Sequence, residues 1–581
     1  MKTIILLLFA ILSLSGAPCA PKLLARVQQS PDSLFRVWVF LKTETDLTHQ
    51  TSRIQACGLR IRYTSRWFNA VSGTIAGNDI HRLTTLPFVQ SVRSVQTFRQ
   101  SRTVPEPTVL QKSLRRQVDP YYGDAYDQLN LIGLIQCHKQ GLVSKTNGGQ
   151  GIRIALFDSG FKTNLPVFAH FTDSTILAKR DYVAGMIDTA ILFDTTVYDD
   201  SLDYPAVQSS KRQQEHGTNV LSLIAGLEPG TFVGIAPFAQ FVLLKTERIL
   251  NEEGRESETQ AEEDAWVAAC EWVVDSIGVD IITTSLGYHY DFTDERDDYT
   301  LTDLNGDSLL ITQAADKAAA APKGVLVLAA VGNEGYYGSG SLSAPADGDS
   351  VLAVGGCDLN GYVYDNTSFG PTLDGRAKPD ISAPASGVYF ATSTSYISSG
   401  SGTSFATPLT AGAAALLLQR DSLLKGHPYE AMARLKRTAY FPSNIPEEDR
   451  TNPRYGTGIV NIWAALLDTV VNNPYRIIQG PAFFPLTPSS EKKPAFILRL
   501  SNQRPLDSPS LRINLYSLSG KLVRRFSFST TDLKPGINLL TWDGKNRHGQ
   551  PLESGVYLVR AEYIEKGGIP VIWQTKTAII P

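Results

Sequence analysis

Between residues 120 and 468, short apolar runs alternate with segments of helical period. "GIRIALF" runs into Asp158, and "QFVLLK", "VDIITTSLG" and "GVLVLAAVGN" come after it. Runs this short and this apolar fit strands buried on both faces. Between the second and third of them lies "TQAEEDAWVAACEWVVDSIG". There Thr259 and Glu262 are spaced as a capping box, and Trp266, Cys270, Val273, Val274 and Ile277 share one face of a helix. The alternation predicts an α/β fold, a mostly parallel sheet with helices on both faces. In such sheets ligands bind beyond the carboxyl ends of the strands, and Asp158, Ser285 and Asn333 each follow a strand-like run directly.

The pattern differs on either side of this region. Upstream, "FRVWVFLK", "AVSGTIAG" and "VQSVRSV" read as strands and "DIHRLTTL" as a helix, which makes residues 35–99 a small α+β unit. "SRTVPEPTVLQKSLRRQVDP" has three prolines, no sustained period and the dibasic pair Arg115-Arg116, the marks of an exposed, protease-accessible linker. After about 475 the chain alternates in β fashion, with turns at Ser519-Gly520 and Asp543-Gly544, and predicts a β-sandwich of roughly 100 residues.

Composition changes the picture in three places. The start, Met1-Lys2 followed by "IILLLFAILSL" and small residues to Ala20, reads as a secretory signal peptide. Its apolar run is too short for a span, which needs about 20 residues. The five cysteines are scattered, without metal-site spacing; the expectation is buried small hydrophobes with at most one bridge. The net charge of −3 conceals an imbalance: 15 basic against 5 acidic residues over 22–116, 23 against 45 over 117–468, and 15 against 7 over 469–581. The basic residues of the two ends are dispersed, which argues against nucleic acid and for docking onto an acidic centre.

The candidate chemistry sits in the turns. "SSGSGTSFATP" sets a bare, hydroxyl-rich loop against an Ala/Leu helix, with Pro408 expected in the first turn. A helix starting near Ser404 would aim free N–H groups at that serine; the bland reading is an ordinary N-cap. "QEHGTNVLSLIAG" offers His216 as a base, though a lone histidine is more often a surface or capping residue. Asp158 could orient an imidazole or simply cap a turn. Asn333 in "GNEG" could donate to an oxyanion or simply make a turn.

Taken in the order Asp158, His216, Asn333, Ser404, the motifs "FDSG", "HGTNV", "TTSLG", "GNEG" and "GTSFATPLTAG" resemble those of the subtilisin-like (subtilase) serine proteases. The likeness extends through "SFGPTLDGRAKPDISAPASGV" and "NPRYGTGIVNIWAAL" and so covers 120–468. It implies Ser404 as nucleophile, His216 as general base then acid, and Asp158 as the residue orienting it. It further implies Asn333 with the Ser404 N–H as oxyanion hole, and Ser285, Leu286 and Gly287 as the strand that pairs with substrate. Two departures stand out: Asn219, Leu221 and Ser222 in "HGTNVLS", where the family pattern reads HGTHVAG, and Phe405 in place of Met. Extra segments at about 194–212 and 289–309 flank the expected cleft.

"WFNAVSGTIAGNDIHRLTTLPFVQSVRSV" resembles the inhibitory propeptide of that family. The tail motifs "WDG" and "SGVY" resemble immunoglobulin-like C-terminal modules, including type IX secretion sorting domains. The expected organisation is a signal peptide at 1–20, propeptide at 33–100, processing linker at 101–119, catalytic domain at 120–468 and β-sandwich at 476–581. The expected function is a secreted or cell-surface, autoprocessed serine endopeptidase acting on proteins or peptides, with its own propeptide as inhibitor. The alternative is an inactive subtilase-fold binding protein. No cofactor is assigned: the Gly of "TDLNGDS" comes too early for an EF-hand loop, so that stretch reads as a solvated turn, with calcium as the minority view.

Overall fold

The computed structural model describes residues 18–95, 119–182, 207–247, 263–289 and 299–468, together with strands and short turns between 475 and 580. The chain divides into two units, 1–467 and 468–581. The capping-box residues, Arg115-Arg116 and, of the two extra segments, residues 194–206 and 290–298 lie outside the described residues.

Seven strands form the central sheet, in the order Ile176–Asp181, Gln240–Lys245, Arg153–Asp158, Ile281–Thr284, Leu326–Ala330, Val351–Asp358, Ile381–Ser386, every pair parallel. Their side chains alternate between two cores. Ile154, Leu156, Leu326, Leu328, Leu352 and Val354 enter one, which they share with Leu221, Leu223 and Leu416 of the helices Val207–Ala225 and Thr403–Arg420. Ala155, Phe157, Val327, Ala329, Val351 and Ala353 enter the other, with Trp266 and Ala314 of the helices Glu263–Trp272 and Leu310–Ala320. Both faces of the sheet are therefore apolar, which is why its strands read as continuous runs.

Residues 18–95 form a four-stranded antiparallel sheet, ordered Arg60–Ser65, Ala70–Ala76, Leu34–Leu41, Val89–Ser94. One face packs on its own core. That core includes Leu23 and Val27 of a helix Pro21–Gln29, so the unit begins upstream of the expected residue 33. The other face, with Trp38, Phe40 and Ala70, joins the second core of the central unit. The helix Glu263–Trp272 is thus covered on its polar side as well: Asp264 is fully buried and Glu271 nearly so. Arg62 Nη1 donates to both oxygens of Asp264 at 2.9 Å, and Ser72 Oγ donates to Oδ2 at 2.8 Å. Glu271 accepts from Ser65 Oγ at 2.6 Å and from Arg66 N at 2.9 Å. Buried carboxylates demand such partners, and the basic N-terminal unit supplies them.

All five cysteines are free, and the bridge held open by the sequence is not formed. No described helix is long and apolar enough to cross a membrane. In the turn at 302–308, Asn305 Oδ1 accepts from the N–H groups of Asp307 and Ser308.

In the unit 468–581, Tyr475–Ile478, Ala495–Leu500 and Gly536–Thr541 make a three-stranded sheet. Phe483–Pro485, Val571–Ile580, Gly555–Ile564, Ser510–Ser517 and Leu522–Phe528 make a five-stranded one. Leu511, Ile513 and Leu515 stand opposite Tyr563, Ala561 and Val559, all buried, so one face of that sheet is withdrawn from solvent.

Candidate active site

Asp158 ends its strand fully buried and accepts from Ser159 N at 2.7 Å and Ser159 Oγ at 3.1 Å. His216 lies in the helix Val207–Ala225, and its Nδ1 is 2.8 Å from Asp158 Oδ1 and 3.0 Å from Oδ2. That contact fixes the tautomer, with the proton on Nδ1 and the lone pair on Nε2. Gly217 permits this close approach of helix to strand, because a Cβ there would stand 2.1 Å from Gly160 O and 3.1 Å from Asp158 Oδ1. Thr218 Oγ1, which accepts from Lys162 N at 2.9 Å, ties the loop after Asp158 to the same helix.

Ser404 is the second residue of the helix Thr403–Arg420, where backbone N–H groups have no partner within the helix. Pro408 lies in the second turn, not the first as expected. The helix tolerates it because the carbonyl left without a helical donor, Ser404 O, accepts from Ser285 Oγ at 2.9 Å. Ser404 Oγ donates in return to Ser285 O at 3.1 Å. No hydrogen bond joins Ser404 Oγ to His216 Nε2 among the described residues. Catalytic contacts of this kind commonly tighten only when substrate is bound.

Asn333 follows the strand Leu326–Ala330, and its Oδ1 accepts from Thr403 N at 2.8 Å and Thr403 Oγ1 at 3.2 Å. With the oxygen so occupied, Nδ2 is the free end of the amide. A Cβ at Gly402 would stand 3.8 Å from Asn333 Nδ2 and 3.9 Å from Ser404 N, so the missing side chain leaves a space between two donors. Thr403, expected from the sequence only to keep the loop before Ser404 slim, thus orients the Asn333 amide, and Glu334, to which the sequence assigns no role, accepts from Asn333 N through Oε2 at 2.7 Å.

Ser285, Leu286 and Gly287 continue the strand Ile281–Thr284. Leu286 is buried in the second core, and the next residue, Tyr288, pairs through both backbone groups with Ala344. Among the described residues neither Leu286 nor Gly287 forms a backbone hydrogen bond, so this stretch is an open edge beside Ser404. The structure thus joins Asp158 to His216, and Ser404 to Ser285 and, through the adjacent Thr403, to Asn333, while Leu286 and Gly287 follow Ser285 along the chain. Among the described residues no group of three or more His, Cys, Asp or Glu side chains is placed to hold a metal ion.

The family model of the subtilase family matches residues 149–458, and a peptidase S8 propeptide domain of Bacteroidota matches 41–108. Subtilisin DY of Bacillus licheniformis is 34% identical over 252 residues, 43% of this chain and 77% of that protein. Subtilisin Savinase of Lederbergia lenta is 28% identical over 56% of this chain and 93% of its own length. Among solved structures, the epidermin leader peptide processing serine protease of Staphylococcus aureus superposes with a TM-score of 0.52 at 18% identity. That match covers 76% of this chain and 99% of the other, a likeness of fold. The α/β architecture, the parallel sheet and the family matches agree, and the chain belongs to the subtilase family of serine proteases, with a propeptide domain preceding its protease domain.

Proposed function

We propose that this protein is a secreted serine endopeptidase, made as a precursor that processes itself, in which Ser404, His216 and Asp158 act as the catalytic triad. The observation that carries this reading is the His216 Nδ1 contact to a fully buried Asp158, which leaves Nε2 as the nitrogen able to act as a base. As Ser404 Oγ bonds to the substrate carbonyl carbon, its proton passes to His216 Nε2, and the adjacent Asp158 stabilises the imidazolium formed. The carbonyl oxygen, now negative, takes hydrogen bonds from Asn333 Nδ2 and the Ser404 N–H, which Thr403 and the helix start hold in place beforehand. The C–N bond then breaks, with the His216 proton going to the leaving amine. Water, deprotonated by His216, releases the acyl group from Ser404. The open edge at Ser285, Leu286 and Gly287 would align a peptide as an added strand.

The wider reading rests on the sequence. The leader at 1–20 directs export to the surface or the medium, the linker at 101–119 is where the propeptide is cut away, and the β-rich tail is an accessory or sorting module for type IX secretion. The test is intact mass of the precursor lacking residues 1–20, beside its Ser404→Ala form. Loss of the N-terminal region by the parent alone supports the triad. Two whole chains, with no uptake of a fluorophosphonate probe by the parent, would favour an inactive binding protein.

A further inference from the structure

His216 and Ser404 lie on different helices, and among the described residues no hydrogen bond joins them directly. Their relative position must be set through other contacts. The strand Val388–Ala391 pairs with Ile397–Gly400 in an antiparallel hairpin that leads straight into Ser404. Gly402 N, donating to Ala385 O at 2.7 Å, holds the end of that path. The opposite edge of the hairpin is engaged by side chains of the His216 helix. Ser222 Oγ accepts from Ala391 N at 3.0 Å while donating to Asn219 O at 2.7 Å. The surroundings of the Asn219 amide assign its nitrogen to the side lined by acceptors, and in that orientation Nδ2 donates to Ala391 O at 3.0 Å and to Glu215 O at 3.0 Å. Glu215, the neighbour of His216, accepts through its carboxylate from Ser393 N at 3.2 Å and from Ser393 Oγ.

Ala391 thus has both backbone groups taken by one helix. Asn219, Ser222, Ala391 and Ser393 are all buried, where such bonds are strong and costly to leave unmade. Asn219 and Ser222 are two of the three positions at which "HGTNVLS" departs from the family pattern, so this chain uses its own residues here.

We propose that Glu215, Asn219 and Ser222 form a clamp that registers the His216 helix against the Ser404 hairpin, and that they are positioning residues for proton transfer between Ser404 and His216. The proposal rests on the triad reading and deepens it. In acylation His216 takes the Ser404 proton as the Oγ–C bond forms and gives it to the amide nitrogen as the C–N bond breaks. An activated ester expels a stable phenolate that needs no such proton. A displaced His216 therefore slows amide cleavage more than ester cleavage, whereas a general loss of structure slows both alike.

The experiment compares the parent with Glu215→Ala, Glu215→Gln and Ser222→Ala. Each full precursor is left to complete processing, active sites are counted by fluorophosphonate labelling, and kcat and KM are measured on a peptide amide and on the matching p-nitrophenyl ester. For Glu215→Ala the expected loss is about 10- to 100-fold in amide kcat, with KM within about threefold and a loss in ester kcat/KM that is clearly smaller than the loss on the amide. Glu215→Gln keeps an acceptor for Ser393 and should stay close to the parent. Should Glu215→Ala fail to fold, Ser222→Ala, which deletes one buried oxygen, carries the same comparison. Equal losses on both substrates, or no loss on either, overturn the clamp. A parent that takes no probe and cleaves neither substrate overturns the triad reading beneath it.

Discussion

Asp158 and Asp264 are both fully buried carboxylates, and each has a nitrogen partner within 3 Å, yet the partners differ in kind. Asp158 faces an imidazole on the helix Val207–Ala225 of the same protease domain, a side chain that can take up and return a proton without leaving its place. Asp264 faces the guanidinium of Arg62, a permanent cation carried by the propeptide sheet. The first arrangement suits a proton that comes and goes. The second suits a docking surface, since the pair is good only while both halves exclude water. A third carboxylate completes the series. Asp316 accepts from Ser350 N at 2.7 Å, and burial pushes it up from 3.8 to about 6.

These differences are open to test. Asp158→Asn preserves shape but favours the wrong imidazole tautomer. It should lower kcat on a peptide amide by about 10⁴, the scale found for the same exchange in another serine protease. Its propeptide should still bind, because Arg62 and Asp264 are untouched; a turnover within tenfold of the parent would remove Asp158 from the mechanism.

Asp264→Asn should do the reverse. Leaving Arg62 buried without its anion costs about 3 kcal/mol, roughly a hundredfold in propeptide affinity. The kcat of the processed enzyme should not change. The measurement is inhibition of processed enzyme by added propeptide at several salt concentrations. Replacing both partners by apolar residues, Arg62→Met with Asp264→Leu, should recover much of that affinity; if it does not, the pair is worth more than its desolvation.

Asp316→Asn should have the smallest effect. A raised pKa means that the neutral acid is the form favoured by folding. The stability it contributes is complete below about pH 3.8 and is lost as the pH rises through about 6. The Asn variant, neutral throughout, should match the parent near pH 4 and exceed its Tm by on the order of a few degrees at pH 8. Thermal unfolding on the Ser404→Ala background, where self-cleavage does not interfere, checks this; a constant difference across the range would mean that Asp316 stays ionised.

Much of the site is legible in the sequence because its signals are local. A buried run ending in Asp158, a helix starting at Thr403 and an Asn three residues past Ala330 are each written within a few residues, and parallel sheets gather such positions at one edge. The small elements of the propeptide were less legible. The helix Leu47–Ala56 buries only Ile54, and the strand Arg60–Ser65 carries two arginines, so neither has a strong period. The helix Pro21–Gln29 was missed because the adjoining apolar leader masked its start.

What the sequence by itself determined is the alternation of strand and helix, the family and the residue types at the strand ends, because period and turn chemistry depend on near neighbours. Only the tertiary structure decided which partner each polar group meets. Pro408 reads as a helix start until Ser285 is seen to take up the carbonyl it releases. Asp264 and Glu271 have no partner nearby in the sequence and find theirs in Arg62, Ser72, Ser65 and Arg66 of the propeptide sheet. Asn219 and Ser222 read as departures from a motif until Ala391 arrives beside them from 169 residues further along the chain. Burial and pairing across such distances are properties of the folded chain, and no local pattern encodes them.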